Sequence, residues 1–208
     1  MPTQIHSELR TIDRRLSQYF NSTRAQWIDI VRAAVAARAG CTENDARSAP
    51  GFYAWNAATA RARQIFRREG WEKGDHEGIE TIWNADHRKM IAVMNCDAGT
   101  CALDRVPHNR TPKGNASDKV VALNTEMFKP SEMTPLERRP YSFWYLCIFD
   151  DGRQVRAEIS RPVEYKGNQI VDYSERIFIL QDGEWERIIV ETPSADDGQD
   201  FDIDVRRK

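Results

Sequence analysis

Tyr141-Ser-Phe-Trp-Tyr-Leu-Cys-Ile-Phe149 is followed by Asp150-Asp151-Gly152 and then by Gln154 to Ser160. The first run is dense in aromatic and β-branched residues, and its length and composition predict a core strand around Cys147. Asp-Asp-Gly supplies turn chemistry, and the segment after it returns as a second strand. Arg176 to Leu180 and Trp185 to Glu191 flank Asp182-Gly183 in the same manner, which predicts a second hairpin. Upstream, Ile79 to Trp83 and Met90 to Met94 read as strands joined through Asn84-Ala85-Asp86. A largely antiparallel sheet is therefore expected in the second part of the chain.

The first 70 residues have a different period. Leu9, Ile12, Leu16, Tyr19 and Phe20 recur at three and four, the stripe of an amphipathic helix. Thr23 and Gln26 form a capping-box pattern ahead of a second helix, Ala25 to Ala39, which is apolar on most sides and ends at Gly40. Thr42 to Asp45 suggests a short helical turn ended before Pro50. A third helix is expected from about Phe52 to Glu69, stopped by Gly70. Its arginines, Arg61 and Arg68 on one side and Arg63 and Arg67 on the other, flank the core stripe rather than sharing one exposed face.

The expected class is α+β, with an N-terminal three-helix layer packed on a largely antiparallel sheet. Residues 1–70 form the helical part. Residues 71–193 form the sheet part, with a long loop at 95–118 and a helix from Lys119 to Phe128. Residues 129–140 hold three prolines and read as a linker or ordered loop. Residues 194–208 form an acidic tail in which Phe201, Ile203 and Val205 alternate with aspartates, the pattern of a docked edge strand or a solvated segment. At 208 residues, with 40% hydrophobic residues, six Trp and eight Phe, the chain can fill a core as one compact unit. No stretch approaches the ~18 apolar residues of a membrane span. The four cysteines, Cys41, Cys96, Cys101 and Cys147, are few and irregularly spaced, and no export signal opens the sequence. Reduced thiols and a cytoplasmic location are the expectation.

The net charge of −2 conceals a gradient. Residues 1–70 carry eleven arginines against six carboxylates, a net of +5, and residues 141–208 carry a net of −6. Such asymmetry marks either a surface for an anionic partner or two parts that attract each other.

Four constellations could carry chemistry. Asp150 and Asp151, with Glu164-Tyr-Lys166 downstream, resemble the D…E-x-K pattern of restriction-type nucleases. The resemblance implies carboxylates holding Mg²⁺ and a lysine positioning the attacking water. His87, Cys96, Cys101 and His108 are zinc-type ligands close in sequence. The segment from Cys101 to Asn109 also resembles the first half of a ββα-metal nuclease, with Arg105 where that family has its histidine base. Asp75, His76, Glu77 and Glu80, with Asp86 and His87, could do acid–base work or sit in a solvated loop. Arg105, His108, Arg110, Lys113 and Lys119, with Gly114 among them, form a basic loop suited to an anion. No P-loop, dinucleotide or nucleophile-elbow motif is present.

The sequence therefore reads as a non-catalytic cytosolic binding or adaptor protein. Its Arg-rich helices or its 105–119 loop would meet a nucleic acid or an acidic protein. The alternatives are a Mg²⁺-dependent nuclease and a zinc-binding loop protein. No cofactor beyond these two ions is suggested. A protein partner is expected, a membrane is not, and the alternating tail would allow a homo-oligomer.

Overall fold

The structure, a computed structural model, describes residues 2–76, 78–112, 114–125 and 141–191. Its elements run β1 (Gln4–His6), α1 (Leu9–Phe20), α2 (Arg24–Ala39), α3 (Ala49–Phe66) with a 3-10 turn (Arg67–Glu69), β2 (Glu72–His76), β3 (Ile79–Asn84), β4 (Lys89–Asn95), α4 (Asn115–Thr125), β5 (Ser142–Asp150), β6 (Val155–Lys166), β7 (Gln169–Leu180) and α5 (Glu184–Glu191). The strands form one seven-stranded open sheet in the order β1-β7-β6-β5-β4-β3-β2. The β1–β7 and β4–β5 neighbours are parallel and the rest antiparallel. This is the expected α+β class, three N-terminal helices on a mixed, mostly antiparallel sheet.

The helices form where the local chemistry indicates. Asn21 ends α1 in the left-handed conformation, and Thr23 and Gln26 complete their capping box at the start of α2. α3 begins three residues earlier than expected because Pro50, which has no N–H, fits the first helical turn. Thr42 to Asp45 is a turn rather than helix. The Asp45 carboxylate accepts from the Thr42 amide at 2.7 Å and the Thr42 hydroxyl at 3.0 Å, which closes it locally.

One expectation is overturned outright. Residues 184–191 are a helix, not the return strand of a hairpin. The Asp182-Gly183 turn exists, but it is closed by Glu184, whose carboxylate accepts from the Gln181 amide at 2.7 Å and whose amide donates to the Gln181 carbonyl at 3.2 Å, and the chain leaves it as a helix. Trp185 and Ile188, three apart, then share one face against the core. The return hairpin lies elsewhere. β6 runs past Ser160 to Lys166 and turns through Gly167 and Asn168, both with positive φ, into β7. Two short edge strands, β1 and β2, were not expected. β2 is polar throughout and gives no apolar alternation.

Pro162 interrupts the β5–β6 ladder. That ladder stops at Tyr145 and Ser160, the β6–β7 register on the other side shifts around Pro162, and Asn124 from α4 bridges β5 and β6 where the pairing ends. Its amide accepts from the Phe143 N–H and donates to the Phe143 and Pro162 carbonyls, each at 2.8 Å. A proline is tolerated inside a central strand because a side chain supplies the pairing it cannot make.

The three N-terminal helices cover one sheet face. Phe20, Trp27, Phe66 and Trp71 from the N-terminal part pack on Trp144, Leu146, Ile159 and Ile177. The other face carries Met94, Cys96, Tyr145, Cys147 and Tyr173, together with a fully buried ion pair, Glu158 and Arg176. The loop from Cys96 to Thr111 lies over that pair. Arg176 donates all five of its N–H groups: two to Glu158 at 2.8 and 2.7 Å, two to the carbonyls of Ala102 and Arg105, and one to that of Gly99. Glu158 also accepts from the Ser160 hydroxyl and the Cys101 amide. Desolvation works against the charge on Arg176. The hydrogen bonds and charge of Glu158 reverse this and hold its pKa above the ordinary value. Gly99 is required here, because a Cβ at that position would meet the Val106 carbonyl oxygen at 2.1 Å.

Arg176→Met leaves Glu158 charged and buried with two acceptor positions open and removes three anchors of the loop. Breaking one side of such a pair costs about 3–5 kcal/mol. Urea unfolding is expected to show a loss of that size, and a loss under about 1 kcal/mol would contradict the assignment.

Candidate functional site

A cleft of about 470 Å³ lies where the carboxyl ends of the parallel neighbours β4 and β5 meet the α2–α3 connection. In open sheets, ligands favour the crevice outside the carboxyl ends of parallel strands. Its floor is Ala34, Ala54, Ile148 and Asp150, each under a tenth exposed. Its rim includes Phe52, 56% exposed. Three arginines line it from three segments: Arg38 from α2, Arg47 from the connection, and Arg110 from the 96–111 loop. Asp150 is the one lining carboxylate, so the lining carries an excess of two positive charges.

The loop delivers Arg110 by a short antiparallel return. The Asp97 amide donates to the His108 carbonyl, and the Arg110 amide donates to the Asn95 carbonyl, each at 3.0 Å. The Arg110 guanidinium then donates to the Asp150 carbonyl oxygen at 3.1 Å. Arg38 stands 3.7 Å from the Asp150 carboxylate, whose other oxygen accepts from the Gly152 amide at 2.8 Å. Asn95 donates to the Gly51 carbonyl at 2.8 Å and ties the end of β4 to the first turn of α3. The positive end of the α3 dipole faces the same cleft. The arrangement neutralises Asp150 and leaves guanidinium donors for an incoming anion.

The structure divides the sequence-derived sets. Of Asp150, Asp151, Glu164 and Lys166, only Asp150 lines the cleft. Asp150 pairs with Val155 at one end of the β5–β6 hairpin. Glu164 lies nine residues farther along β6, ~30 Å away at the usual rise of a strand. Asp151 shapes the turn by accepting from the Arg153 and Gln154 amides. His87, Cys96, Cys101 and His108 are not brought together. His87 is in the β3–β4 turn, and His108 faces Asp97 at 3.3 Å. Cys96 is fully buried, and Cys101 donates its thiol to the Ala157 and Leu180 carbonyls. Among the described residues no group of three or more His, Cys, Asp or Glu is placed to hold a metal. Asp75 and His76 belong to β2, where Asp75 caps the turn at Gly78, and Glu80 pairs with Arg63. Glu77 and Lys113 lie outside the described residues, as do residues 126–140 and the tail. Of the basic loop set, Arg110 reaches the cleft, whereas Arg105, His108 and Lys119 do not line it.

A second polar group gathers around Glu175 of β7. His6 and Arg15 approach Glu175 at 2.9 and 3.5 Å. Lys89 lies over the Tyr19 ring, and burial, with Arg161 nearby, holds its pKa below the ordinary lysine value. Glu175 already sits among these side chains.

Arg38, Arg47, Asn95 and Phe52 were not singled out in the sequence. The available signal was the arginine excess of the first 70 residues. No family model, curated protein or solved structure matches this chain, so the site rests on its own geometry. Among the described residues no helix is long and apolar enough to cross a membrane.

Two outcomes follow. Inorganic phosphate at ten times its Kd stabilises the protein by about 1.4 kcal/mol, and a thermal melt reads this as a rise of roughly 3–6 °C. Arg38→Gln with Arg110→Gln removes the rise, and an unchanged wild-type Tm would contradict the cleft assignment. Burial pushes the Cys101 and Cys147 thiols well above the ordinary value, and Cys96 is enclosed beside Cys147. A thiol reagent on the native protein is expected to label Cys41 quickly and the other three only on unfolding. Fast labelling of two or more would contradict the described packing.

Proposed function

We propose that this chain is a non-catalytic binding protein and that its partner is a single-stranded nucleic acid held at the β4–β5 cleft. One observation supports this most: a three-arginine cluster lies directly beside aromatic rings on the surface. Phe52 and Tyr53 are 56% and 46% exposed, and the Phe52 ring lies 5.7 Å from Tyr53 and 5.9 Å from Trp55. Exposed aromatics at the first turn of a helix are a poor use of apolar surface unless something stacks on them. Unpaired bases have faces for stacking, and phosphates have charge for guanidiniums. The overall charge of −2 is compatible, because the positive excess is confined to the cleft. Binding is preferred to cleavage because Asp150 is alone in the cleft among the D…E-x-K residues.

Fluorescence anisotropy with a labelled oligothymidylate tests the proposal. Binding is expected to weaken with rising salt as guanidinium contacts to phosphate are screened. Phe52→Ala is expected to weaken it roughly 5- to 150-fold, the worth of one stacked base. Absent binding, salt-insensitive binding or an unaffected Phe52→Ala variant would refute it. Tighter capture of poly-glutamate than of the oligonucleotide would assign the cleft to an acidic protein instead.

A further inference from the structure

We infer that the cleft accepts the end of a nucleic-acid strand and that the group it reads is a terminal phosphomonoester. This rests on the proposed nucleic-acid reading and adds what part of the strand is recognised. The first argument is shape. Exposure falls from the rim, where Phe52 is 56% exposed, to a floor where Ile148 and Asp150 are 3% and 8% exposed. The floor lies at the carboxyl ends of two hydrogen-bonded strands, so a phosphate that reaches the bottom meets the ends of β4 and β5. A terminal phosphate reaches that floor from a single entrance.

The second argument is charge. Three guanidiniums against one carboxylate leave an excess of two positive charges. An internal phosphodiester carries one negative charge, and a phosphomonoester carries −1.5 to −2 near neutral pH because its second pKa is ≈ 6. The monoester is the better match, and its three free oxygens match donors arriving from three directions. Arg38 and Arg110 are both already oriented by Asp150, through its carboxylate at 3.7 Å and its carbonyl at 3.1 Å. That preorganisation lowers the ordering cost of binding.

The test uses wild-type protein and three labelled oligothymidylates of equal length: both ends hydroxyl, 5′-phosphate, and 3′-phosphate. One phosphorylated strand is expected to bind at least ten-fold more tightly than the hydroxyl-ended strand. That preference should shrink several-fold between pH 7.5 and pH 5 as the monoester gains a proton. Asp150, Arg38, Arg47 and Arg110 are the titratable and charged groups facing the ligand. The hydroxyl-ended strand carries any pH effect of theirs on strand binding in general. Arg38→Gln with Arg110→Gln should abolish the preference. Equal affinity for all three strands would overturn end recognition while leaving the nucleic-acid reading in place, and binding of none would overturn both.

Discussion

Arg176 and Glu158 are an ion pair with no access to water, set between two central strands, and much of the second sheet face is organised around them. Burying two charges is costly, and it is sustained only when every donor and acceptor is matched. That condition dictates the loop above. Three of the five guanidinium donors must find backbone carbonyls, and one Glu158 oxygen must find an amide, so residues 99–105 close over the pair in one arrangement. Tyr173 adds a further tie through the Pro107 carbonyl, and Asn109 ties the loop to the β6–β7 turn. Because the loop is fixed in this way, its far end returns along β4 and delivers Arg110 to the cleft. The buried pair thus acts on the candidate site as a positioning element.

The charge gradient of the sequence has two destinations. Part of it is spent internally, since Arg15, Arg24 and Arg38 meet Glu175, Glu184 and Asp150 from the acidic end of the chain. These contacts join the helical layer to the sheet, as a net +5 segment and a net −6 segment would suggest. What is left over is local. Arg47, joined by Arg110 from the 96–111 loop, lines the cleft beside the Arg38–Asp150 pair, and this excess sits beside exposed aromatics rather than spread over a face.

The layer architecture was legible because it depends on period. The stripe from Leu9 to Phe20, the Thr23–Gln26 box and the run from Tyr141 to Phe149 each carry a local signal that tertiary contacts reinforce. Residues 185–191 were misread because their run of Trp, Ile and Val fits both periods, and the packing of Trp185 and Ile188 on the core selects the helical one. β2 was invisible because a charged edge strand has no apolar face. The D…E-x-K resemblance relied on closeness in sequence, but a strand converts closeness in sequence into distance, and Glu164 is carried to the far end of β6. Of the cleft, Arg110 was legible in the basic loop and Asp150 in the D…E-x-K set, and the rest only as an arginine excess. Arg38, Arg47 and Arg110 come from three segments, and only the loop's return along β4 brings them together. Arg176 and Glu158 were not legible, because β6 and β7 carry other charges and nothing in the sequence sets these two apart.

The most direct measurement of this account is native-state hydrogen exchange of the loop amides, read against those of the central strands. If the buried pair fixes the loop, the amides of Cys101, His108 and Arg110, which donate to Glu158, Asp97 and Asn95, exchange only with the global unfolding that exposes β5 and β6. Exchange of those amides orders of magnitude faster than the β5–β6 core, with the sheet intact, would show a loop that opens on its own and would contradict the account.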